Sequence, residues 1–212
     1  MYRATLLIFV AVSLAAFALL WGAELLFPGS VASAIVLVVI TVLGFWIVHP
    51  GWNLQRKPLR KNWPGLFGLL LISAAGAAWF LAHFNIPLPY DFSKLNLISS
   101  MPVILAITGI EELLFRQVMY RWLEQRGLPT RTALVATALA FGWAHLGPAF
   151  IGSSIGVTFY LLQSAYMVWI GILLGKIRCS MQSWAMSWLG HFSYNLSVLF
   201  FLSLAYAPLQ ST

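Results

Sequence analysis

The sequence predicts an all-α fold, a polytopic transmembrane helical bundle of about seven spans with its N-terminus in the cytoplasm. Apolar residues make up 61% of the chain and charged residues 8%, whereas a soluble domain is nearer half apolar and a quarter charged. Mean hydropathy is +0.88. At about 20 residues per span plus short loops, 212 residues hold about seven or eight helices and leave no room for a second domain. Residues 1–212 therefore read as one membrane domain, with accessory helices and loops over 1–98 and a core over 99–206.

The first span is predicted over 4–27. Its start, Met1-Tyr2-Arg3, resembles the n-region of a signal peptide, but the apolar stretch is longer than a usual h-region, so it reads as an uncleaved membrane helix. Pro28-Gly29-Ser30 turns the chain into a second span over 31–49. The next loop carries Arg56, Lys57, Arg60 and Lys61 between Trp52 and Trp63, and indole rings favour the headgroup level. A third span over 65–84 is rich in Gly and Ala, which let neighbouring helices approach closely. A polar loop over 85–97 contains Asp91 and Lys94. The fourth helix, 99–126, is broken by Gly127-Leu128-Pro129. A fifth span over 132–146 ends at Gly147-Pro148, a sixth over 156–175 is followed by Lys176 and Arg178, and a seventh runs over 182–206.

Orientation follows from the cations. With seven spans and a cytoplasmic N-terminus, 11 of the 12 basic residues fall on or toward the inside, Lys94 alone lying outside. Placement at helix ends accounts for the net charge of +7 as topology, and excludes nucleic acid as a partner. The partner that composition implies is the lipid bilayer. A single cysteine, Cys179, excludes an intrachain disulfide and any CxxC motif.

Of five acidic residues, two stand side by side inside an apolar run, Glu111 and Glu112, with Arg116 one turn on. A charge near the bilayer centre costs several kcal/mol, and such groups face a bundle interior or a wet cavity. Glu24, His49 and His83 fall near span ends, where water and headgroups solvate them. His145, His191 and Asn195 do not. At about 1.5 Å of rise per residue, Glu111 and His191 lie roughly 15 Å from the cytoplasmic end of their helices, and His145 and Asn195 roughly 20 Å. Three helices thus bring two carboxylates, two imidazoles and an amide to a common level, and buried polar groups need partners. Glu112 and Arg116 are i, i+4 and can pair on one face, which leaves Glu111, about 100° around the helix, free for another role. His191 and Asn195 share a face by the same spacing. Phe141 lies one turn before His145 and can wall the same cavity.

Glu111-Glu112-x-x-x-Arg116, Phe141-x-x-x-His145 and His191-x-x-x-Asn195, in this order on three helices, resemble the CPBP intramembrane protease family. That family includes the type II CAAX prenyl endopeptidases and bacterial proteins tied to bacteriocin processing and self-immunity, and many members carry an eighth span. The resemblance covers about 99–201. It implies a glutamate-dependent endopeptidase of the bacterial cytoplasmic membrane that cleaves a membrane-anchored or lipidated peptide near its C-terminus. Glu111 would be the general base and His145 its partner in activating a water. His191 and Asn195 would form the pocket for the oxyanion, with Glu112, Arg116 and Phe141 in support.

The chemistry is coherent on its own terms, since peptide hydrolysis needs an activated water, oxyanion stabilisation and a proton for the leaving amine. Ser187, Ser193 and Ser197 lie near His191 but in no nucleophile-elbow motif, and read as helix-packing serines. Glu111, His145 and His191 could supply three ligands to a zinc. The lack of HExxH, and an asparagine suited to oxyanion donation, favour a mechanism without a metal or other cofactor. Two other functions fit the same polar cluster: a non-enzymatic immunity or scaffold protein that keeps it for helix association, and a proton-coupled transporter. The second needs a polar path across the bilayer, for which the other spans offer few residues.

Overall fold

The computed structural model describes residues 63–88, 97–146 and 154–206. The predicted spans at 4–27 and 31–49, the basic cluster at 56–61 and, with them, the orientation of the N-terminus lie outside the described residues. Within them all regular structure is helical. Helix α1 is Trp63–His83, α2 is Leu97–Glu112, a π-helical segment covers Leu113–Met119, α3 is Tyr120–Gln125, α4 is Thr130–Ala144, α5 is Ser154–Met181 and α6 is Trp184–Tyr206. Three helical stretches are long and apolar enough to cross a membrane: Trp63–His83, Val157–Met181 and Trp184–Ala205. Their outward faces carry exposed large apolar side chains such as Ile72, Trp79, Leu161, Trp169 and Leu204, which suits a lipid surround.

The helix ends follow from local chemistry. Beyond α1 the Ile86 amide reaches back to the Leu81 carbonyl at 3.0 Å, with Asn85 at φ 48°, a left-handed C-terminal cap that asparagine tolerates. Gly127, at φ 81°, ends α3 in the same manner, with the Leu128 amide bonded to the Leu123 carbonyl at 3.1 Å. Between α5 and α6 the chain turns within two residues, and the Gln182 side chain donates to the Cys179 carbonyl at 2.7 Å.

Two predicted elements are corrected. The fourth helix is not one α-helix over 99–126. It widens into π geometry directly after the two glutamates, with the Tyr120 amide bonding the Phe115 carbonyl five residues back. The sixth does not stop at Gly175. Helix α5 continues to Met181, because Gly175 serves packing rather than termination: a Cβ there would lie 3.1 Å from Leu134 Cγ. Lys176 is exposed but Arg178 is buried, so the latter is more than a topological cation.

In the bundle, α4 packs on α5, α1 and α2 pack on α6, and α5 also lies against α1 and α6. Tyr166 and Trp169 of α5 both bond Ser73 of α1, the tyrosine hydroxyl to its carbonyl and the indole to its hydroxyl. The main core joins Leu70, Leu114, Phe115, Phe141, Ile170, Leu174, Ile177 and Tyr194 from five elements. Phe141 sits at the centre of the polar motifs. Its helix is brought close by small residues: a Cβ on Gly142 would fall 2.4 Å from Val168 Cγ2 and 2.7 Å from the Ser164 carbonyl oxygen, and Ser164 Oγ donates to the Gly142 carbonyl at 2.8 Å. Since one clashing atom is backbone, Gly142→Ala must push α4 from α5. It is expected to destabilise the protein by about 1–3 kcal/mol, the usual range for overpacking, seen as a lower melting temperature in detergent; an unchanged melting temperature would contradict this packing.

Candidate active site

The site forms where the end of α2 and the π segment meet α6 and the end of α4. Glu112 is fully buried. An ionised carboxylate so placed needs counter-charge and donors, and three side chains converge on it. Arg116 Nε stands 3.4 Å from Glu112 Oε2, Ser187 Oγ of α6 donates to the same oxygen, and His191 Nδ1 lies 3.2 Å from Oε1. Neither the arginine nor the histidine contact has hydrogen-bond geometry; the arginine contact is an ion pair, and the imidazole is a close polar neighbour of the other carboxylate oxygen. Ser187 also faces the Leu174 carbonyl at 3.0 Å; with one hydroxyl proton it can serve one acceptor at a time.

Glu111 differs from its neighbour. It is 19% exposed, and His191 Nε2 approaches its Oε2 at 3.7 Å. The buried His191 ring therefore stands between the two carboxylates, one nitrogen toward each. Phe141 supplies the wall. Its ring packs edge-on against His191 at 5.4 Å and against His145 at 4.7 Å between centroids, and the Arg116 guanidinium lies 4.9 Å from its centroid, within cation–π range.

His145 caps α4, and its Nδ1 lies 2.8 Å from the Phe141 carbonyl. A carbonyl only accepts, so Nδ1 carries the proton, and in the neutral ring Nε2 is left with its lone pair. The family resemblance pairs Glu111 with His145; in the structure the imidazole at Glu111 is that of His191, and His145 joins through Phe141. Asn195 lies one turn beyond His191 on α6, half-buried, and among the described residues no hydrogen bond or ion pair joins it to the others. Ser187, read from sequence as a packing serine, is a direct partner of Glu112. Its place one turn before His191 was the available signal. Among the described residues no three His, Cys, Asp or Glu side chains are arranged to hold a metal ion, and this includes Glu111, His145 and His191.

A family model for Rce1-like type II CAAX prenyl endopeptidases matches residues 92–197, which takes in the glutamate pair, both histidines and Asn195. The chain belongs to this family. No curated protein and no solved structure matches it. Membership supports an enzyme of the CAAX protease type and, with the three apolar helices, an integral membrane protein.

The burial of Glu112 and Arg116 leads to a stability prediction. Arg116→Leu strands the Glu112 carboxylate and is expected to cost about 3–5 kcal/mol, as for breaking one partner of a buried pair. Adding Glu112→Gln to that variant should recover part of the loss, and Ser187→Ala alone should cost about 1–3 kcal/mol. Thermal unfolding of the purified proteins in detergent orders the variants; a double variant no more stable than Arg116→Leu would contradict the ion pair.

Proposed function

We propose that the chain is an intramembrane endopeptidase in which Glu111 activates a water that cleaves a lipidated or membrane-anchored peptide near its C-terminus. The observation that carries this reading is the unequal burial of the adjacent carboxylates. Glu112 is held from all sides, whereas Glu111 is partly accessible beside His191, so it is the carboxylate that a water and a substrate carbonyl can reach.

Glu111 takes one proton from the water as its oxygen attacks the scissile carbonyl carbon. The tetrahedral oxyanion forms next, and donors aimed at it lower the barrier. Asn195, through its side-chain amide, and His191 are the donors on α6. His145 Nε2 accepts from the second proton of the same water and orients it. Collapse breaks the C–N bond, and the proton taken by Glu111 passes directly to the leaving amine. Glu112, Arg116 and Phe141 act by holding His191 and the helix that carries Glu111. The reaction balances without a metal or cofactor, and a carboxylate–imidazole site with an asparagine donor suits that route better than a zinc site. The distribution of cations favours seven spans with the N-terminus inside.

An apolar cleft of about 630 Å³ between α1, α5 and α6 supports a lipid-bearing substrate; it is lined in part by Phe80, Phe159, Leu162, Tyr166, Tyr194 and Val198. Tyr194 lies between His191 and Asn195 on the helix that carries both, so a chain seated there would lead toward the site.

The direct test is cleavage of a farnesylated CAAX peptide carrying a quenched fluorophore, by protein reconstituted in liposomes. Glu111→Gln is expected to remove activity to background, and His145→Ala to lower kcat by roughly 10²–10⁴-fold, the range of general acid–base groups, while both proteins insert and melt like wild type. Full activity in Glu111→Gln would end this reading and favour a scaffold role. The metal-free route has its own check, since preincubation with a strong chelator should leave kcat unchanged.

A further inference from the structure

Arg178 is an arginine in an unexpected place. By sequence it closes a span, as Lys176 does. Lys176 is exposed, whereas Arg178 is 2% exposed and turned toward the helix that carries the glutamate pair. Its Nε donates to the Arg116 carbonyl at 3.0 Å, its guanidinium lies 4.2 Å from the centroid of the Tyr120 ring, and Nη2 stands 4.0 Å from Glu124 Oε2. One side chain from α5 therefore grips three consecutive turns of the π segment and α3. A cation needed only for topology would stay in water, because burying a guanidinium costs several kcal/mol unless its donors are met.

The Arg116 carbonyl is the notable partner. It belongs to the π segment, whose wider hydrogen-bond pattern is less regular than that of an α-helix and is often found at functional sites. It is also the backbone of the residue whose side chain lies against Glu112 and Phe141. Where that backbone stands decides where the guanidinium points.

We propose that Arg178 is a positioning residue: it pins the π-helical backbone at Arg116 and so holds the Arg116–Glu112 pair in register with Glu111 and His191. Lysine cannot replace it. A lysine ammonium is a single compact donor group, whereas the guanidinium presents Nε and Nη donors in a rigid fork that reaches a carbonyl and a carboxylate at once while its flat face meets an aromatic ring. The kinetic half of this inference rests on the protease reading; the structural half does not.

The test compares wild type with Arg178→Lys, which keeps the charge and hence the topology. Amide hydrogen exchange in lipid nanodiscs is expected to quicken about 10-fold across 113–119, the equivalent of one lost hydrogen bond, with exchange in α1 and α6 unchanged. On the farnesylated peptide, kcat should fall roughly 10–100-fold, as small misplacements of a site do, with KM within about twofold. In an Arg116→Lys background the further loss should be less than about twofold, because both residues act through one contact. Wild-type exchange over 113–119 in Arg178→Lys would overturn the proposal, as would full additivity of the two substitutions. Should Arg178→Lys fail to fold, Glu124→Gln removes the outer contact together with the Arg121 pair, and Arg121→Gln is its control; exchange quickened over the π segment in Glu124→Gln but not in Arg121→Gln supports the latch, and none refutes it. If wild type leaves the peptide uncut, the protease reading fails by itself and the exchange result alone judges Arg178.

Discussion

A fully buried carboxylate organises this site. Glu112 has no access to water, and the several kcal/mol needed to keep it ionised there must be met by neighbours. The neighbours come from two elements far apart in sequence: Arg116 from the π segment, Ser187 and His191 from α6. Satisfying Glu112 therefore docks α6 against the end of α2, and it is this docking that sets His191 beside Glu111. Phe141 of α4 completes the enclosure by giving its face to the guanidinium and its edges to two imidazoles. The geometry offered for chemistry at Glu111 is a consequence of the charge balance at its neighbour.

Helix packing makes that convergence possible. Side chains at the α4–α5 contact are reduced to hydrogen at Gly142 and Gly171, with Ala138 opposite the latter. In a bilayer, where apolar burial gives little preference between helix and lipid, close contact between small residues is a main source of association. Helix α4 has 15 residues, about 22 Å of rise, shorter than the ~30 Å hydrocarbon layer. Its C-terminal cap, His145, packs on Phe141, whose ring also meets His191.

Part of this was legible in the residues. Two acids in an apolar run, an arginine one turn on and a histidine on a later helix predict a polar cluster, because buried polar groups in a membrane seek one another. The geometry brings Glu111, Glu112, Arg116 and His191 together; Asn195 bonds none of them among the described residues. The unread features share a physical cause: they depend on contacts between helices or on local backbone geometry that periodicity does not encode. A spacing of four places His191 and Asn195 on one face but does not say which imidazole reaches Glu111. Residues 113–119 are mostly apolar and give no sign of an extra residue per turn. Ser187 looks like any small residue until Glu112 is set opposite it, and Arg178 looks like any cation at the end of a span. The sequence over 4–49 carries no motif comparable to those of the site.

The π segment links these themes. Adjacent residues on an α-helix point about 100° apart, so Glu111 and Glu112 meet His191 at different ring nitrogens; Glu112 is turned into the protein and Glu111 toward the open side. A π turn placed directly after them rotates the next residues relative to a regular helix, and Arg116 stands in that shifted stretch with its side chain on Glu112 and its carbonyl on Arg178. The segment is consequently held at both ends of one residue, by a carboxylate inside the site and by a guanidinium beyond it. Irregular backbone in a membrane protein is sustained where protein supplies the missing partners, and here the Arg178 guanidinium supplies one to the Arg116 carbonyl.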